Sequence, residues 1–285
     1  MDQGGTKMTA MLQSVKKAVK TVISLFSEDW HYYKRIIELV PELSKYKEYQ
    51  IEFVKETAQK QNCRSVREYY ELLRRDAAEL ARFKQNLTYV GSHFFRGEDW
   101  QFFSERCLSS FKGADRVRIW CAACSSGQEV YSVIAALSEY IPLEKIDVLA
   151  SDYNDEMIAK CEAGTYFNMH LKEIPEKYHP LLEKNKTKFT FNEEVRKRIA
   201  TKNVNLLTDV YPDSIDIILC RNVLKFFSPD VIEECHGKLC RALKEGGFLF
   251  LSNDDNSKKV EFIKDPEKLG MIQLEDRCIY QKRSV

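Results

Sequence analysis

The segment of residues 118–133, RIWCAACSSGQEVYSV, holds the first side chains whose types and spacing could do chemistry. Its two cysteines, Cys121 and Cys124, could bind zinc or act as a redox pair, because thiolates serve both purposes. A zinc site needs two more ligands at suitable spacing, yet the chain has no second Cys-x-x-Cys motif and its five histidines are scattered. The preferred interpretation is a loop that lets a ligand approach the backbone, and we expect no metal.

Small residues occupy the turn between the apolar strand and the helix of this segment: Ala122, Ala123, Ser125, Ser126 and Gly127. In open α/β sheets ligands bind where the strands end, and small residues there leave room for a flat molecule. A single glycine is not the G-x-G-x-x-G fingerprint that binds the pyrophosphate of a dinucleotide. The segment therefore predicts a nucleoside-like cofactor without phosphates, and it disfavours a nicotinamide-dependent dehydrogenase.

A second polar position is Asp152, which ends the apolar run DVLASD and lies 25 residues after Gly127. A carboxylate at the tip of a second strand suits a ribose, because it can accept hydrogen bonds from both hydroxyl groups. The alternative is that Asp152 caps the next helix, although its position favours the ribose. S-adenosylmethionine fits this pattern, since it joins a nucleoside to a cationic sulfonium and carries no phosphate.

The elements that must position these residues are predicted from the spacing of apolar side chains. Residues 1–85 predict a small all-helical domain, residues 86–100 (NLTYVGSHFFRGEDW) a linker, and residues 101–285 a second domain. Within the first domain, helical spacing runs through residues 11–26, 30–39, 49–60 and 66–83.

From residue 117 onward strands and helices alternate, which is typical of a mostly parallel sheet with helices on both faces. The predicted strands are 117–120, 146–151, 215–220, 248–252 and the final RCIYQK, and the predicted helices are 129–140, 156–161 and 229–243. The glycines of EGG at 245–247 are expected to end the last helix. KFTF and KRIA predict a small hairpin at about 188–200. The fold class is α/β.

The overall composition is that of an ordinary globular protein, with 44% apolar and 31% charged residues. A net charge of +1 gives no field that would favour nucleic acid as a partner. No apolar run reaches the roughly 18 residues of a membrane span, and the lysines within MLQSVKKAVKTVISLF argue against a signal peptide. The nine cysteines lie mostly within apolar segments, as reduced thiols do. We expect a cytoplasmic protein without membrane insertion.

Several motifs together resemble the chemotaxis receptor methyltransferase family, the CheR-type protein-glutamate O-methyltransferases. SVREYYELL and LTYVGSHFFR resemble a helix and the linker of that family, and IWCAACSSGQEVYS resembles its first-strand loop. ASDYNDEMI, VNLL, CRNVLKFF and LKEGGFLFLS follow in the order of the family. Phe-Phe-Arg together with Cys-Arg-Asn-Val is the specific part of the match. The resemblance implies a Rossmann-like S-adenosylmethionine-dependent methyltransferase domain with a small β subdomain at about 168–203.

The resemblance also implies which residues bind the cofactor. Ser92 and Arg96 of the linker would close over it, and Glu129 would bind its ammonium group. Asp152 would hold the ribose. For Glu129 the alternative is an acid in the first turn of a helix, where the helix dipole favours negative charge.

Four further residues complete the implied site. Asn205 and Leu206 would flank the adenine, and Arg221 and Asn222 would lie next to the reacting methyl group. The expected catalytic residues are therefore Arg96, Arg221 and Asn222. A surface arginine and a turn asparagine remain the alternatives for the last two.

The implied reaction transfers a methyl group from S-adenosylmethionine to glutamate carboxylates of methyl-accepting chemotaxis receptors, leaving S-adenosylhomocysteine. A glutamate side chain is ionised at neutral pH, so the enzyme has to align the reactants and needs no general base. The N-terminal helices would contact the receptor through basic side chains, drawn from Lys16, Lys17, Lys20, Arg64, Arg67, Arg74 and Arg75. The small β subdomain is the part of the family fold that can dock a receptor tail peptide by adding a strand.

The sequence departs from the family pattern mainly on the substrate side. Phe226 stands where the family has a tyrosine near the methyl group, and SNDD at 252–255 replaces Gly-His-Ser-Glu. The other departures are Val90, Gln128, Val130 and Lys225. A second hypothesis is therefore a receptor-binding or sensory module that binds the cofactor but catalyses weakly or not at all.

Overall fold

The computed structural model describes residues 28–40, 43, 50–86, 92–251 and 262–284. The chain divides into two compact units, Met1–Leu87 and Thr88–Val285. The helix predicted at 11–26, with its three lysines, lies outside the described residues, as do Val90 and the segment 252–255. Among the described residues, no helix combines the length and the apolar composition that crossing a membrane would take.

The first unit is helical, as predicted. Its described helices are α1 (Glu28–Leu39), α2 (Gln50–Lys60), α3 (Val66–Arg75) and α4 (Ala77–Asn86). They bury one apolar core, to which each contributes at helical spacing. Large fully buried members of that core are Ile36, Tyr69, Leu73 and Phe83.

The single helix predicted over 66–83 is wrong, because the chain breaks at Asp76 into α3 and α4. Asp76 has an extended backbone, with φ −117° and ψ 98°. Its Oδ1 atom accepts the N–H groups of Ala78 at 3.0 Å and Glu79 at 2.9 Å. An aspartate that satisfies the first N–H groups of a new helix ends the preceding one, and apolar periodicity does not register that interruption.

The second unit is built on a seven-stranded sheet with the strand order β6-β2-β1-β7-β8-β10-β9. Its strands are β1 (Val117–Ala122), β2 (Ile146–Asp152), β6 (Ile199–Asn203), β7 (Ile215–Leu219), β8 (Leu243–Phe250), β9 (Met271–Gln273) and β10 (Ile279–Lys282). The first five in spatial order run parallel, whereas β10 and β9 are antiparallel to their neighbours. This arrangement is the mostly parallel sheet that the alternating pattern predicts.

The helices of the second unit are α5 (Asp99–Phe102), α6 (Gln128–Leu137), α7 (Asp155–Ala163), α8 (Glu193–Arg196) and α9 (Pro229–Ala242). Nine of the ten residues of α6 are buried, which is typical of a helix enclosed by its own domain. Since α6 follows β1 directly, the loop between them is anchored at both ends in the core.

A small three-stranded sheet confirms the predicted β subdomain, but the strand pairing predicted for it is wrong. Its strands are β3 (Thr165–Phe167), β4 (Leu182–Lys184) and β5 (Lys188–Phe191), with β5 in the centre. KFTF therefore pairs with β3 and β4, whereas the last two residues of KRIA begin β6, which lies parallel to β2 in the large sheet. Two adjacent strands in the sequence joined different sheets because α8 separates them.

The glycines of EGG also act differently from the prediction. The helix α9 ends at Ala242, and residues 245–247 lie inside β8. The register of β8 against β7 shifts between Ile215 and Ile217, beside Gly246 with φ 74°. An added Cβ at Gly247 would lie 2.9 Å from Asp216 O, so these glycines serve a strand irregularity and a close backbone approach.

Candidate functional site

The loop between β1 and α6 bends sharply at the carboxyl end of a central strand. Three of its residues have left-handed backbone conformations, Ala123 with φ 59°, Ser125 with φ 49° and Gly127 with φ 90°. The N–H group of Cys124 donates to Ser151 O of β2 at 2.8 Å. A left-handed conformation costs a non-glycine residue about 1–2 kcal/mol, so tertiary contacts hold this loop in its shape.

Gly127 is required by sterics as well as by its backbone angle. A Cβ atom added there would lie 2.6 Å from Cys161 Sγ and 3.0 Å from Cys161 Cα. Cys161 belongs to α7, which therefore packs directly on the loop. The one glycine of the motif serves this close packing, a role that glycines also have where a helix approaches a strand–helix turn.

Asp152, at the end of β2, faces the same loop. Its Oδ2 atom accepts the N–H of Ser125 at 2.8 Å, and its Oδ1 atom accepts the N–H of Asn154 at 2.9 Å. The residue is only 5% exposed. Burial raises the pKa of its carboxyl group above the usual value, and the backbone N–H donors partly oppose that rise. A carboxylate accepts about four hydrogen bonds, so it has capacity left for a ligand.

The alternative function of Asp152 as a helix cap is wrong. The N-cap of α7 is Asn154, whose side chain accepts the N–H groups of Glu156 at 2.9 Å and Met157 at 3.3 Å. Asp152 instead holds the β1–α6 loop against the end of β2. Its side chain is therefore committed to the carboxyl edge of the sheet.

Arg221, which follows β7, forms a buried ion pair with Glu129 in the first turn of α6. Its Nη1 atom lies 2.7 Å from Glu129 Oε2, and the two side chains are 1% and 17% exposed. Its Nη2 atom donates to the carbonyl oxygen of Arg96 at 2.7 Å. The guanidinium carbon lies 4.3 Å from the ring centroid of Phe250, a cation–π contact. Arg221 thus joins three segments, and its exposed surface is small.

Five of the predicted site residues line one pocket at this edge of the sheet. They are Ser92, Arg96, Glu129, Arg221 and Asn222. Asn222 is 7% exposed and has a left-handed backbone, with φ 59°. The other lining residues are His93, Ala123, Cys124 and Ser125.

Asn205 and Leu206 lie outside that lining, in the turn after β6. The N–H of Asn205 donates to Asp209 Oδ2 at 3.0 Å, and its Oδ1 atom accepts the N–H of Leu207 at 2.9 Å. The carbonyl oxygen of Leu206 accepts the hydroxyl of Tyr211 at 2.8 Å. Both predicted adenine neighbours therefore lie in a turn that internal hydrogen bonds hold in place.

The strand order places all of these groups in a row. β7, β1, β2 and β6 are parallel neighbours, so their carboxyl ends share one edge, with about 4.8 Å between adjacent strands. Along that edge come Arg221 after β7, the β1–α6 loop, Asp152 on β2 and Asn205 after β6. An elongated ligand laid across four strand ends would meet them in this order.

The cysteines of the loop are buried thiols, Cys121 at 1% and Cys124 at 5% exposure. Burial contributes to raising the pKa of both thiols, and for Cys124 a hydrogen bond with Cys161 contributes more than burial does. In the described part of the chain, no three His, Cys, Asp or Glu side chains come together as metal ligands. None of the nine cysteines, all of which lie in the described part of the chain, forms a disulfide bond.

Two polar residues at the pocket were not predicted from the sequence. His93 lines the pocket, and its Nδ1 atom lies 3.4 Å from Glu173 Oε2. The Ser132 hydroxyl accepts the N–H of Phe95 at 3.0 Å. His93 lies within LTYVGSHFFR, and Ser132 lies within IWCAACSSGQEVYS. Their polar side chains next to apolar residues of these motifs were the signal that could have identified them.

Known proteins resemble this chain over most of its length. Residues 91–269 match the family model described as CheR methyltransferase, SAM binding domain. A chemotaxis protein methyltransferase of Listeria monocytogenes is 28% identical over 255 residues, which cover 87% of this chain and 95% of that protein. Chemotaxis protein methyltransferase 1 of Pseudomonas aeruginosa is 30% identical over 187 residues, which cover 62% of this chain and 66% of that protein.

Solved structures resemble the chain more distantly. A SAM-dependent methyltransferase from Methanosarcina mazei aligns at 17% identity with a TM-score of 0.31, covering 51% of this chain and 56% of that one. A likeness of this size adds nothing to the family match, which spans more than half of the chain. The predicted cofactor, S-adenosylmethionine, and the predicted methyltransferase fold are confirmed. The chain belongs to the CheR methyltransferase family, and residues 91–269 are its S-adenosylmethionine-binding domain.

Proposed function

We propose that this protein methylates glutamate side chains in the cytoplasmic domains of chemotaxis receptors, with S-adenosylmethionine as the methyl donor. The observation that carries the proposal is the row of polar groups across the carboxyl ends of β7, β1, β2 and β6. The order of that row matches the parts of the cofactor, from the amino acid and methyl group to the ribose and the adenine. The relatives named as chemotaxis protein methyltransferases support the choice of receptor.

The residues fit the cofactor along this row. The pocket that includes Ser92, Arg96 and Glu129 has a volume of about 40 Å³, which suits a charged terminal group rather than a whole nucleoside. The amino-acid end would therefore lie there, with Glu129 toward the ammonium and Arg96 toward the carboxylate. Asp152 would accept the ribose hydroxyls with its remaining lone pairs, and the buried Leu206 would pack on the adenine.

The buried pair of Arg221 and Glu129 gives each residue a defined task. Arg221 lies 2.7 Å from the Glu129 carboxylate and would orient it for a cationic ligand. Since the guanidinium also binds the Arg96 carbonyl, the same side chain keeps the linker next to the pocket. Asn222 would present its amide beside the reacting groups, because it follows Arg221 at the strand end.

The transfer step asks for alignment. The bound sulfonium supplies an already activated methyl group. A substrate glutamate has an ordinary pKa of about 4.3, so it is an ionised nucleophile at neutral pH. The protein has to hold carboxylate, methyl and sulfur in line, which is a positioning task. Arg96, which is partly exposed at the pocket, is the cation best placed to steer the incoming carboxylate.

Receptor contact is assigned to two surfaces. On α3, Arg67 pairs with Glu28 at 3.3 Å while its side chain stays 59% exposed, and Arg74 is 55% exposed. These side chains can exchange partners with receptor glutamates. At the small sheet, Phe167, the last residue of the outer strand β3, is 58% exposed, and Met169 in the turn that follows is 69% exposed. These exposed apolar side chains support docking of a receptor tail by strand addition. The reaction would take place in the cytoplasm, where cysteines outside disulfide bonds, as in this protein, stay reduced.

The second candidate is a cofactor-binding module that does not transfer the methyl group. The observation that favours it is Phe226, which stands in place of a tyrosine and lies in a short 3₁₀ turn directly after the site. Lys225 Nζ lies 5.6 Å from the centroid of the Phe226 ring. A phenyl ring has no hydroxyl to orient a substrate carboxylate.

The two candidates are separated by measuring binding and transfer on the same preparation. Calorimetry with S-adenosylhomocysteine reports the cofactor site, and radiolabelled methyl transfer to purified receptor cytoplasmic domains reports the reaction. We expect both signals, with the label removed by mild base as for a methyl ester. Cofactor binding without transfer to any receptor domain would favour the second candidate. Failure to bind S-adenosylhomocysteine would contradict both.

A further inference from the structure

The strongest backbone anomaly near the pocket is at Phe95, within the linker segment 92–96. Its φ angle is 45°, a left-handed conformation that a bulky side chain adopts only as an outlier. Such strain persists when the surrounding structure fixes it, and it concentrates at ligand sites. The contacts that hold Phe95 therefore show which parts of the protein shape the pocket.

Three contacts hold Phe95. Its N–H donates to the hydroxyl of Ser132 on α6. Its ring stacks on Tyr178 with centroids 5.1 Å apart and planes within 4°, and meets Trp100 edge-on at 5.6 Å. Tyr178 belongs to the 3₁₀ turn before β4, so a turn that adjoins the small sheet supplies the stacking partner.

Tyr178 is itself held in place. Its hydroxyl donates to the carboxylate of Glu139, which also binds Lys177 Nζ at 2.7 Å. Burial raises the pKa of the Tyr178 hydroxyl, and so does its bond to Glu139. Tyr178 is 5% exposed, so its ring presents a fixed surface to Phe95.

The two residues before Phe95 are bound by the same part of the fold. The carboxylate of Glu173 accepts the N–H of Phe94 at 3.1 Å and lies 3.4 Å from His93 Nδ1. It also contacts His170 Nδ1 at 2.8 Å. The ring of Phe94 is 3% exposed and packs at 4.9–6.0 Å from the rings of Tyr166, Phe189 and Phe191. Three successive linker residues thus contact the region 166–191.

Arg96, the next residue, connects the position of residues 93–95 to the pocket that it lines. The carbonyl oxygen of Arg96 binds Arg221 Nη2, and Arg221 Nη1 binds Glu129, each at 2.7 Å. A displaced linker would move that carbonyl and weaken the orientation of Arg221. The effect would then reach Glu129 through direct contacts.

We propose that Tyr178 and Glu173 are positioning residues for cofactor binding, and that the small sheet and its adjoining turns belong to the cofactor machinery. They act by fixing residues 93–95, which place Arg96 and, through it, the pair of Arg221 and Glu129. This inference rests on the proposed roles of Arg96 and Glu129 toward the cofactor. The region 166–191 therefore does more than offer a surface to a partner.

The test compares calorimetric Kd values for S-adenosylhomocysteine in full-length variants. Tyr178→Leu removes the stacked ring, and we expect the Kd to rise about tenfold, as the loss of an aromatic pair and of linker order would produce. Tyr178→Phe keeps the ring and should stay within about threefold of the wild type. Glu173→Ala, which removes the acceptor of the Phe94 N–H, should again raise the Kd about tenfold.

Glu183→Gln is the matched control, because Glu183 is an exposed carboxylate of β4 on the same small sheet. Its Kd should equal that of the wild type. Thermal unfolding of every variant distinguishes positioning from a structural role, which would lower the melting temperature without changing the Kd measured well below it. If Tyr178→Leu does not fold, Glu173→Ala, which leaves the stacked Tyr178 ring in place, carries the test with the same expected rise in Kd.

Wild-type Kd values in folded Tyr178→Leu and Glu173→Ala would overturn the inference and leave the proposed function intact. Wild-type protein that binds no S-adenosylhomocysteine would overturn the proposed function itself, and this inference with it. An equal rise in Glu183→Gln would also refute the assignment, since the effect would then be a general response of the small sheet.

Discussion

The helical unit and the carboxyl edge of the large sheet bury polar side chains for different purposes. In the helical unit the described buried polar residues are Thr57 and Glu79. Thr57 donates to Phe53 O one turn earlier at 2.8 Å, and Glu79 accepts the hydroxyl of Tyr69 at 3.0 Å. Each has a partner on its own or an adjacent helix, so these groups support the packing around them.

At the carboxyl edge, buried polar residues are more numerous, and several of them also have partners that are distant in sequence. They are Gln128, Ser132, Ser151, Asp152, Asn154, Arg221 and Asn222, seven of the ten in the described chain. Their partners include backbone groups of strained loops, as at Ser125. Burying a charge costs free energy unless it is paired. The comparison teaches that this edge gives up stability to hold a ligand-binding geometry, whereas the helical unit does not.

The largest effect should come from Arg221→Met, which leaves the carboxylate of Glu129 without its ion-pair partner. Breaking a buried pair costs about 3 kcal/mol of unfolding free energy, and we expect S-adenosylhomocysteine binding to fall about a hundredfold. The double variant Arg221→Met, Glu129→Gln should regain most of the stability and none of the affinity. Urea denaturation and calorimetry measure the two quantities. If the double variant regained the affinity together with the stability, separate contributions of this pair to stability and to binding would be contradicted.

Gly127→Ala should be the next most damaging change, because the new methyl group meets Cys161 and the φ angle is 90°. Overpacking and a left-handed alanine together should lower the unfolding free energy by about 3 kcal/mol. Gly113→Ala is the matched control, since its φ is 83° but no atom lies within 4 Å of an added Cβ. It should cost about 1 kcal/mol. Equal losses would show that the contact with α7 does not matter.

Asp152→Asn should weaken cofactor binding more than it weakens the fold. The amide can still accept the N–H of Ser125, but it lacks the charge that strengthens bonds to ribose hydroxyls, so the Kd for S-adenosylhomocysteine should rise about thirtyfold. Asp147→Asn on the same strand is the control, because that carboxylate is 45% exposed and pairs with Arg116 at 3.1 Å. An unchanged Kd in Asp152→Asn would remove the residue from the cofactor site.

Lowering the pH should change cofactor affinity and the Asp152 contribution to stability in opposite directions, because burial raises the pKa of this carboxyl group. The folded protein holds the proton more tightly than the unfolded chain does, so the Asp152 contribution to stability grows as pH falls through the raised pKa. Cofactor affinity should fall over the same range, since the ribose needs the carboxylate. Calorimetry at stepwise lower pH should show this loss in the wild type and a flatter profile in Asp152→Asn. Identical pH profiles of affinity in the wild type and in Asp152→Asn would show that this carboxyl group does not cause the loss.

The smallest functional effect should come from Glu79→Gln in the helical unit. The amide keeps an acceptor for the Tyr69 hydroxyl but loses the ion pair with Arg82, which joins the two side chains at 2.6 Å. Stability should fall by about 1 kcal/mol, and the Kd for S-adenosylhomocysteine should not change. A raised Kd would erase the contrast between the two regions.

The sequence by itself determined the kind of fold and most of the chemistry. Apolar runs that alternate with amphipathic segments specify a parallel sheet with helices, because the two backbone periods differ and each must bury one face. The small residues at 122–127 and the carboxylate of Asp152 limited the ligand to a nucleoside without pyrophosphate. The Phe-Phe-Arg and Cys-Arg-Asn-Val motifs then pointed to the family. These features are local, so they can be read from a single chain.

Only the tertiary structure decided which groups meet. The pairing of Arg221 with Glu129 joins residues 92 positions apart, and the stack of Phe95 on Tyr178 joins two segments that the sequence analysis treated separately. The same holds for β6, which begins within KRIA and whose partner is β2 rather than the neighbouring strand KFTF. Periodicity specifies which face of an element is buried, but the partner of that face depends on the packing of the whole chain. For this reason the sequence could propose candidate residues for the site, whereas their structural partners could not be read from it.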